Sequence, residues 1–343
     1  MSVHPLLQDP VSDPLPLYRY RDGIAAIDLL GVAVAHLDLF TWLAVNPATF
    51  GAVCQQFDLK PRPADVMMTL LCAMGLVTRS GGVYHATLRA REHLTSGSPW
   101  NLAPYIATTK DRPQTNDMLR VLRTGKPANF GSFDPQAWAE AMERPDFAAQ
   151  FTAGMDCRGV LLGPALAKRA NLTCRASLLD VGGGSGIYAC ALVARHPELH
   201  ATVLDKPPVD RIAREAIARQ GFSDRVSVQA GDMFAADWPK EHDVHLLSNV
   251  IHDWDEPAVK TLLMKSHAAL PENGLLLLHD AYLNAEKNGP LHIAEYSALL
   301  MQITEGKCYS VAEVRGLLRE TGFEWTDHQP TAVGRSVIIA QKA

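Results

Sequence analysis

Ala176-Ser-Leu-Leu-Asp-Val-Gly-Gly-Gly-Ser-Gly186 is the stretch that decides the fold of this chain. An apolar run reaches an acidic residue, passes through four glycines and a serine, and enters the apolar-rich stretch Ile187 to Val193. That order predicts a buried parallel strand, a tight turn and a helix entered at its N-terminus. Glycines at the turn let the backbone approach a ligand closely and adopt conformations closed to other residues. A second apolar run, Ala201-Thr-Val-Leu, ends at Asp205. Asp205 is therefore expected at the tip of the neighbouring strand, where it can accept hydrogen bonds from both hydroxyls of a ribose. Together the two motifs point to a nucleoside-containing cofactor.

Working outward, strand and helix patterns alternate from Ala176 to the end, as a parallel doubly wound sheet demands. The predicted strands are Ser177–Val181, Ala201–Asp205, Val226–Ala230, Val244–Ser248, Gly274–His279 and Arg335–Ala340, with another near Glu324–Gln329. A helical insertion, Leu291 to Thr304, precedes a helix over Val311–Glu320, with Ser310 and Glu313 forming a capping box. The expected fold is α/β: a Rossmann-like, doubly wound, seven-stranded sheet carrying an N-terminal helical domain.

The first hundred residues lack this alternation. Gly23 to Val45 reads as one long apolar helix, Thr49 to Phe57 as a short helix with Thr49 as N-cap, and Pro63 to Met74 as a helix closed by Gly75. Two β-like runs follow, Leu76–Arg79 and Val83–Ala86, joined by Ser80-Gly-Gly82. Helix, helix and hairpin make a winged-helix pattern. A DNA-reading helix needs Arg, Lys, Asn or Gln on its exposed face. Here the helix offers Asp65, Val66, Met67, Met68, Thr69 and Leu70, with Arg62 at its start. Those side chains suit packing against protein, so a dimer interface is the expected use and nucleic acid is not an expected partner. Pro104 to Leu166 is expected to be helical, with the loop Gly125–Gly131 and aromatic residues Phe130, Phe133, Trp138, Phe147 and Phe151 forming a connector or lid. The expected domains are a dimerisation domain over 1–105, connector and pocket helices over 106–170, and a cofactor-binding domain over 171–343.

The bulk composition fits this reading. A 343-residue chain, 47% hydrophobic and 20% charged, can bury a large core and divide into domains. A net charge of −5 argues against nonspecific binding to nucleic acid or anionic membranes. No apolar run reaches the roughly eighteen residues of a membrane span. The proline-rich, acidic stretch Met1 to Asp22 is not expected to be a signal peptide. Six cysteines with no CxxC spacing imply free thiols in a cytoplasmic setting rather than a disulfide framework or zinc site.

Which nucleoside cofactor is bound turns on the acidic residues. Gly184-Ser-Gly-Ile-Tyr-Ala189 can be written as a nicotinamide fingerprint, a weak match by itself. Asp180 sits at the strand end, where a carboxylate would crowd a pyrophosphate but could receive an amino group. A third strand ends in Gly231-Asp-Met-Phe234. Three acidic strand tips in a row suit a ligand with an amine, a ribose and an adenine.

These motifs, with Asn249-Val-Ile-His-Asp-Trp254, resemble class I S-adenosylmethionine-dependent methyltransferases. More narrowly they resemble the small-molecule O-methyltransferases that include caffeic acid and hydroxyindole O-methyltransferases. The resemblance covers nearly the whole chain and implies a homodimer. It implies S-adenosyl-L-methionine as cofactor and S-adenosyl-L-homocysteine as product. It places Gly182 and Gly184 along the methionine part of the cofactor, Asp180 near its amino group, and Asp205 on the ribose. It places Asp232 and Met233 at the adenine, with Trp254 at the same end. Plant members often carry a cofactor-side lysine where this chain has Ser248, which is expected on the cofactor side in its place.

For the chemistry, the resemblance makes His252 the base that removes the acceptor's hydroxyl proton. A neutral imidazole at pH 7 can do this, in concert with methyl transfer, for a phenol of pKa about 10. The family flanks this histidine with two acidic residues. The first matches Asp280. The second falls in Gly306-Lys-Cys-Tyr-Ser310, where Cys308 replaces the acid, and a thiol is a weak hydrogen-bond partner. That departure leaves C- or N-methylation open beside O-methylation. Met155, Arg158, Asn249 and Met301 are the residues expected to face the acceptor, Arg158 being suited to a carboxylate. The spacing of His252, Asp253, His279 and His292 matches no metal-ligand motif, and no metal is expected. The function expected is methyl transfer to a small aromatic or secondary-metabolite hydroxyl, with a nicotinamide oxidoreductase and a DNA-binding regulator as the rivals.

Overall fold

The computed structural model describes residues 4–128, 140–235 and 237–343, so Phe130, Phe133 and Trp138 of the expected connector lie outside it. The described chain divides into two compact units, both discontinuous: 15–128 with 283–311, and 4–14 with 140–282 and 312–343. This differs from the expected run of consecutive domains. The difference has a physical source in the insertion, whose helix Leu291–Ile303 is apolar on most faces and buries Ile293, Tyr296, Leu300 and Met301.

In the first unit, Leu291–Ile303 packs on the helix Pro61–Ala73. Arg62 donates to the carbonyls of Met301, Thr304, Gly306 and Gly125, at 2.8 to 3.3 Å. The Lys307 ammonium lies 2.7 Å from Asp65, which also pairs with Lys287. The cation in the first turn of the helix Pro61–Ala73 is thus engaged in capping carbonyls at the end of a neighbouring helix. The expected helix over Gly23–Val45 is broken. It forms Ala26–Gly31, a π turn over Val32–His36, and Leu39–Val45. Asp38, at φ 45°, makes the break without a proline or glycine to announce it. A helix over Leu15–Asp22, not anticipated, precedes these. Thr49 caps Phe50–Phe57 as expected, its hydroxyl accepting from Ala52 N–H at 3.4 Å. A small antiparallel sheet joins β1 (Ala48–Thr49), β2 (Val77–Ser80) and β3 (Val83–Ala86) in the order β1-β3-β2. Gly81 and Gly82, both at positive φ, turn the hairpin.

The second unit holds the large sheet. Its strands are β4 (Ser177–Val181), β5 (His200–Asp205), β6 (Val226–Ala230), β7 (Val244–Ser248), β8 (Leu275–Ala281), β9 (Phe323–Pro330) and β10 (Arg335–Lys342). The spatial order is β6-β5-β4-β7-β8-β10-β9. The first five run parallel; β10 lies antiparallel to both β8 and β9. The expected seven strands are present, and the last two depart from the all-parallel expectation by closing as a hairpin. Central strands such as β7 are buried throughout, whereas β9 at the edge carries Glu324, Asp327 and His328, which discourage further strand pairing. The chain moves outward from β4 to β5 and β6, then returns to β7 on β4's other side. That reversal makes the C-terminal ends of β4 and β7 the topological switch point, where sheets of this kind bind ligands. The helix Pro145–Arg169 crosses Ile187–Arg195 closely, because a Cβ at Gly159 would come within 2.1 Å of Ile187. Residues 5–7 of the N-terminus rest on this unit, with the His4 ring 5.1 Å from that of Phe222.

Candidate active site

The glycine-rich turn after β4 carries Gly182 at φ +64° and Gly184 at φ +58°, conformations that a Cβ would strain. Above Gly182 stand Val250 and the Met233 sulfur, 3.3 and 3.6 Å from where a Cβ would be, while the space at Gly184 is open. The Asp205 carboxylate accepts from Gly184 N–H at 2.9 Å and from Lys206 N–H at 2.8 Å. Burial pushes that carboxyl up to about 6, against the pull of those two N–H donors. Beyond it, Asp232 accepts from Phe234 N–H at 2.7 Å, and the Phe234 and Trp254 rings meet edge to face at 4.7 Å. Gly182, Gly184, Asp205, Asp232, Met233 and Trp254 therefore converge on one side of the switch point.

Asp180 and Ser248 are placed differently from the expectation that both face the cofactor. Asp180 is fully buried beneath Gly183, whose Cβ would come 2.7 Å from its carboxyl carbon. Burial, partly offset by Ala189 N–H, pushes the carboxyl up to about 7. Ser248 turns into the interior, its Oγ 2.9 Å from His279 Nδ1 and accepting from Asn249 Nδ2 at 3.2 Å. The other ring nitrogen of His279 lies 3.0 Å from Thr331 Oγ1. Burial drives this imidazole down to about 3, so it is neutral at working pH and both nitrogens are committed.

The network ends at Asn249, held at φ 54° just past β7. Its amide also donates to the Tyr188 hydroxyl at 2.9 Å, and its Oδ1 accepts from Arg158 at 3.4 Å. Arg158 lies 3.4 Å from the Met155 sulfur. Three of the four expected acceptor-facing residues thus come together. Next to them the helix and the glycine turn are tied by Ser185, whose hydroxyl donates to Asp156 at 2.6 Å. Ser185, Tyr188 and Thr331 join this network beyond the residues expected from the sequence. Nothing in the local sequence marks them, because each acts through a partner distant along the chain.

His252 lies on the turn Ile251–Asp253 after β7. Its Nδ1 is 2.5 Å from Asp280 Oδ1, which also accepts from Ala281 N–H at 2.7 Å. Asp280 is 1% exposed, near the end of β8. Burial alone would raise its carboxyl, but the His252 charge and hydrogen bond, Ala281 N–H and the buried Arg335 outweigh it and hold it below the usual range. An ionised Asp280 fixes the tautomer: Nδ1 carries the proton and Nε2 presents its lone pair. The arrangement can therefore accept a proton at Nε2 and stabilise the resulting imidazolium. Met301 and Cys308 belong to the other unit, where both are fully buried; the Cys308 backbone N–H donates to Ser297 Oγ at 3.1 Å.

The chain is similar to known O-methyltransferases. A sequence model of the O-methyltransferase domain matches residues 117–324. The 3-hydroxy-5-methyl-1-naphthoate 3-O-methyltransferase of Streptomyces sahachiroi is 31% identical over 292 residues, 84% of each chain. The tetracenomycin polyketide synthesis 8-O-methyl transferase of Streptomyces glaucescens is 30% identical over 309 residues, 88% of each. Among solved structures, an O-methyltransferase family 2 protein from Planctomyces limnophilus, in complex with apigenin, matches with a TM-score of 0.90 at 33% identity, covering 100% of both chains.

Proposed function

This chain belongs to the O-methyltransferase family, and we propose that it moves a methyl group from S-adenosyl-L-methionine to a hydroxyl of a small aromatic or secondary-metabolite acceptor. The bound sulfonium supplies the methyl and leaves as S-adenosyl-L-homocysteine. The residues present fit that cofactor. Each Asp205 oxygen keeps a lone pair for a ribose hydroxyl, Trp254 and Phe234 offer aromatic surface for adenine, and Gly182 and Gly184 leave the turn without side chains. Asp180 acts in this reading beneath the turn, shaping it rather than touching the ligand.

The observation that carries the proposal is the His252–Asp280 pair at the switch point, on the same sheet edge as the glycine turn. As the acceptor oxygen bonds to the methyl carbon and the carbon–sulfur bond breaks, the hydroxyl proton passes to His252 Nε2. Asp280 then faces an imidazolium. Alignment of the two reactants supplies much of the acceleration, and base assistance adds about 10²–10⁴-fold. Arg158, Met155 and Asn249 line the acceptor side, and Met301 and Cys308 are carried over from the family pattern. Cys308 in place of the family's second acid supports a second reading, C- or N-methylation, which asks less of a base.

Calorimetry with S-adenosyl-L-methionine and S-adenosyl-L-homocysteine tests the cofactor, and binding at micromolar concentrations is expected. Incubating phenolic acceptors with methyl-labelled cofactor and locating the new methyl by NMR tests the atom. Label on oxygen supports the proposal, label on nitrogen or carbon selects the second reading, and no binding of either compound overturns both.

We also propose that the helical unit is a winged-helix dimerisation domain and that the enzyme is a cytoplasmic homodimer. Support comes from exposed apolar side chains along Leu15–Asp22 and onward, including Leu17, Tyr20 and Ile24, the tyrosine being 85% exposed. A dimer mass by light scattering is expected, and Tyr20→Glu should weaken it. No single described helix is long and apolar enough to cross a membrane.

A further inference from the structure

Replacement of the family's second acid by Cys308 raises the question of what else sustains the base. His252 has one carboxylate at Nδ1, that of Asp280. A second lies on the opposite side of the ring, where Asp253 Oδ1 is 3.6 Å from Nε2. The two acids differ in setting. The Asp280 side chain is 2% exposed and that of Asp253 is 45% exposed, so Asp253 reaches solvent while facing the ring nitrogen left unprotonated by Asp280.

We infer that Asp253 is the second carboxylate of this site, a positioning residue that acts through His252 from the Nε2 side in place of the acid absent at Cys308. This rests on the methyltransferase reading above. At 3.6 Å the pair is too long for a strong hydrogen bond while Nε2 is unprotonated, and becomes an ion pair once the acceptor's proton arrives. Asp253 therefore favours the protonated base, the state that accumulates in the transition state, more than the resting one. Partial loss of hydration beside the buried His252–Asp280 pair pushes its carboxyl up, with Asp280 adding to the rise and His252 and Arg158 opposing it. The other charges facing the pair within this unit are Arg335, which acts on Asp280 from β10, and Arg158, on the helix Pro145–Arg169. His279 contributes none, since burial keeps it neutral. Removing the Asp253 charge should lower the affinity of His252 for a proton, as loss of an opposite charge at this distance does.

Asp253→Asn keeps the size and removes the charge. The acidic limb of its kcat/KM profile should move down by about one pH unit, with kcat reduced about tenfold and cofactor affinity unchanged. Asp253→Glu should restore the limb. The same shift should be read without any acceptor, by following the His252 ring nitrogens by NMR across pH in wild type and variant. An unmoved His252 titration overturns the inference even where activity falls, because that pattern is what a merely structural aspartate gives. Wild-type protein that methylates no acceptor would count against the underlying reading instead, and the NMR titration would still decide the role of Asp253.

Discussion

Asp180 and Asp280 are each the penultimate residue of a strand in one sheet, and each is sealed from water, at 0% and 1% exposure. They titrate in opposite directions. Burial pushes Asp180 up to about 7, offset only in part by Ala189 N–H. Asp280 pays the same desolvation but faces the His252 ring at 2.5 Å, Ala281 N–H and the charge of Arg335, and stays below the ordinary carboxylate range. Burial sets the cost of a charge; the partner decides whether the charge persists. The end of β4 holds a group that can become neutral. The end of β8 holds one that remains ionised, as orienting a base requires.

The sharpest way to break that contrast is Asp280→Asn. Without a carboxylate the His252 tautomer is no longer fixed and the imidazolium loses its counter-charge. Turnover should fall about 10²–10⁴-fold with cofactor affinity unchanged, measured by steady-state kinetics beside calorimetry. Equal losses in both would show that Asp280 holds the fold rather than the base.

A smaller effect is expected at Asp205, whose carboxyl lies up at about 6. Only the ionised form accepts hydrogen bonds from two ribose hydroxyls. Cofactor affinity should be flat above about pH 7 and decline as pH falls through about 6, and Asp205→Ala should weaken binding about 10- to 100-fold at pH 8. A pH-independent Kd would remove Asp205 from the ribose.

The smallest effect concerns stability. Because Asp180 binds its proton more tightly folded than unfolded, its contribution to stability declines as pH rises from about 4 toward 7. Asp180→Asn should raise the Tm of the ligand-free protein by a few degrees at pH 8 and leave it nearly unchanged at pH 4.5. A lower Tm at both values would mean that the ionised carboxylate is supported after all.

The five parallel strands are legible in the sequence to within one or two residues, because each is a short apolar run closed by a turn signal. The acidic residues Asp205 and Asp232 are legible for the same reason, since they end or closely follow such runs, whereas His252 and Asp280 stand out only through the family resemblance. What escapes is what depends on distant packing. An apolar helix at Leu291–Ile303 announces burial but not its partner, which is the helix Pro61–Ala73. Arg62 reads as a lone cation and turns out to cap carbonyls of that distant segment. His279 has no role assigned by its sequence context, and its place between Ser248 and Thr331 depends on strands distant along the chain. The reversal of β10 depends on the turn at Val333 and Gly334, at φ 43° and 75°, whose sequence is not a strong hairpin signal.

The central claim is that His252 is a base in methyl transfer and not a part of the cofactor site. Its most direct test is His252→Ala, measured at one pH for S-adenosyl-L-methionine affinity by calorimetry and for single-turnover methyl transfer to the wild-type acceptor. Affinity within about threefold of wild type is expected, with methyl transfer slowed at least about 10²-fold. Transfer within about threefold of wild type, with the cofactor bound normally, would contradict it.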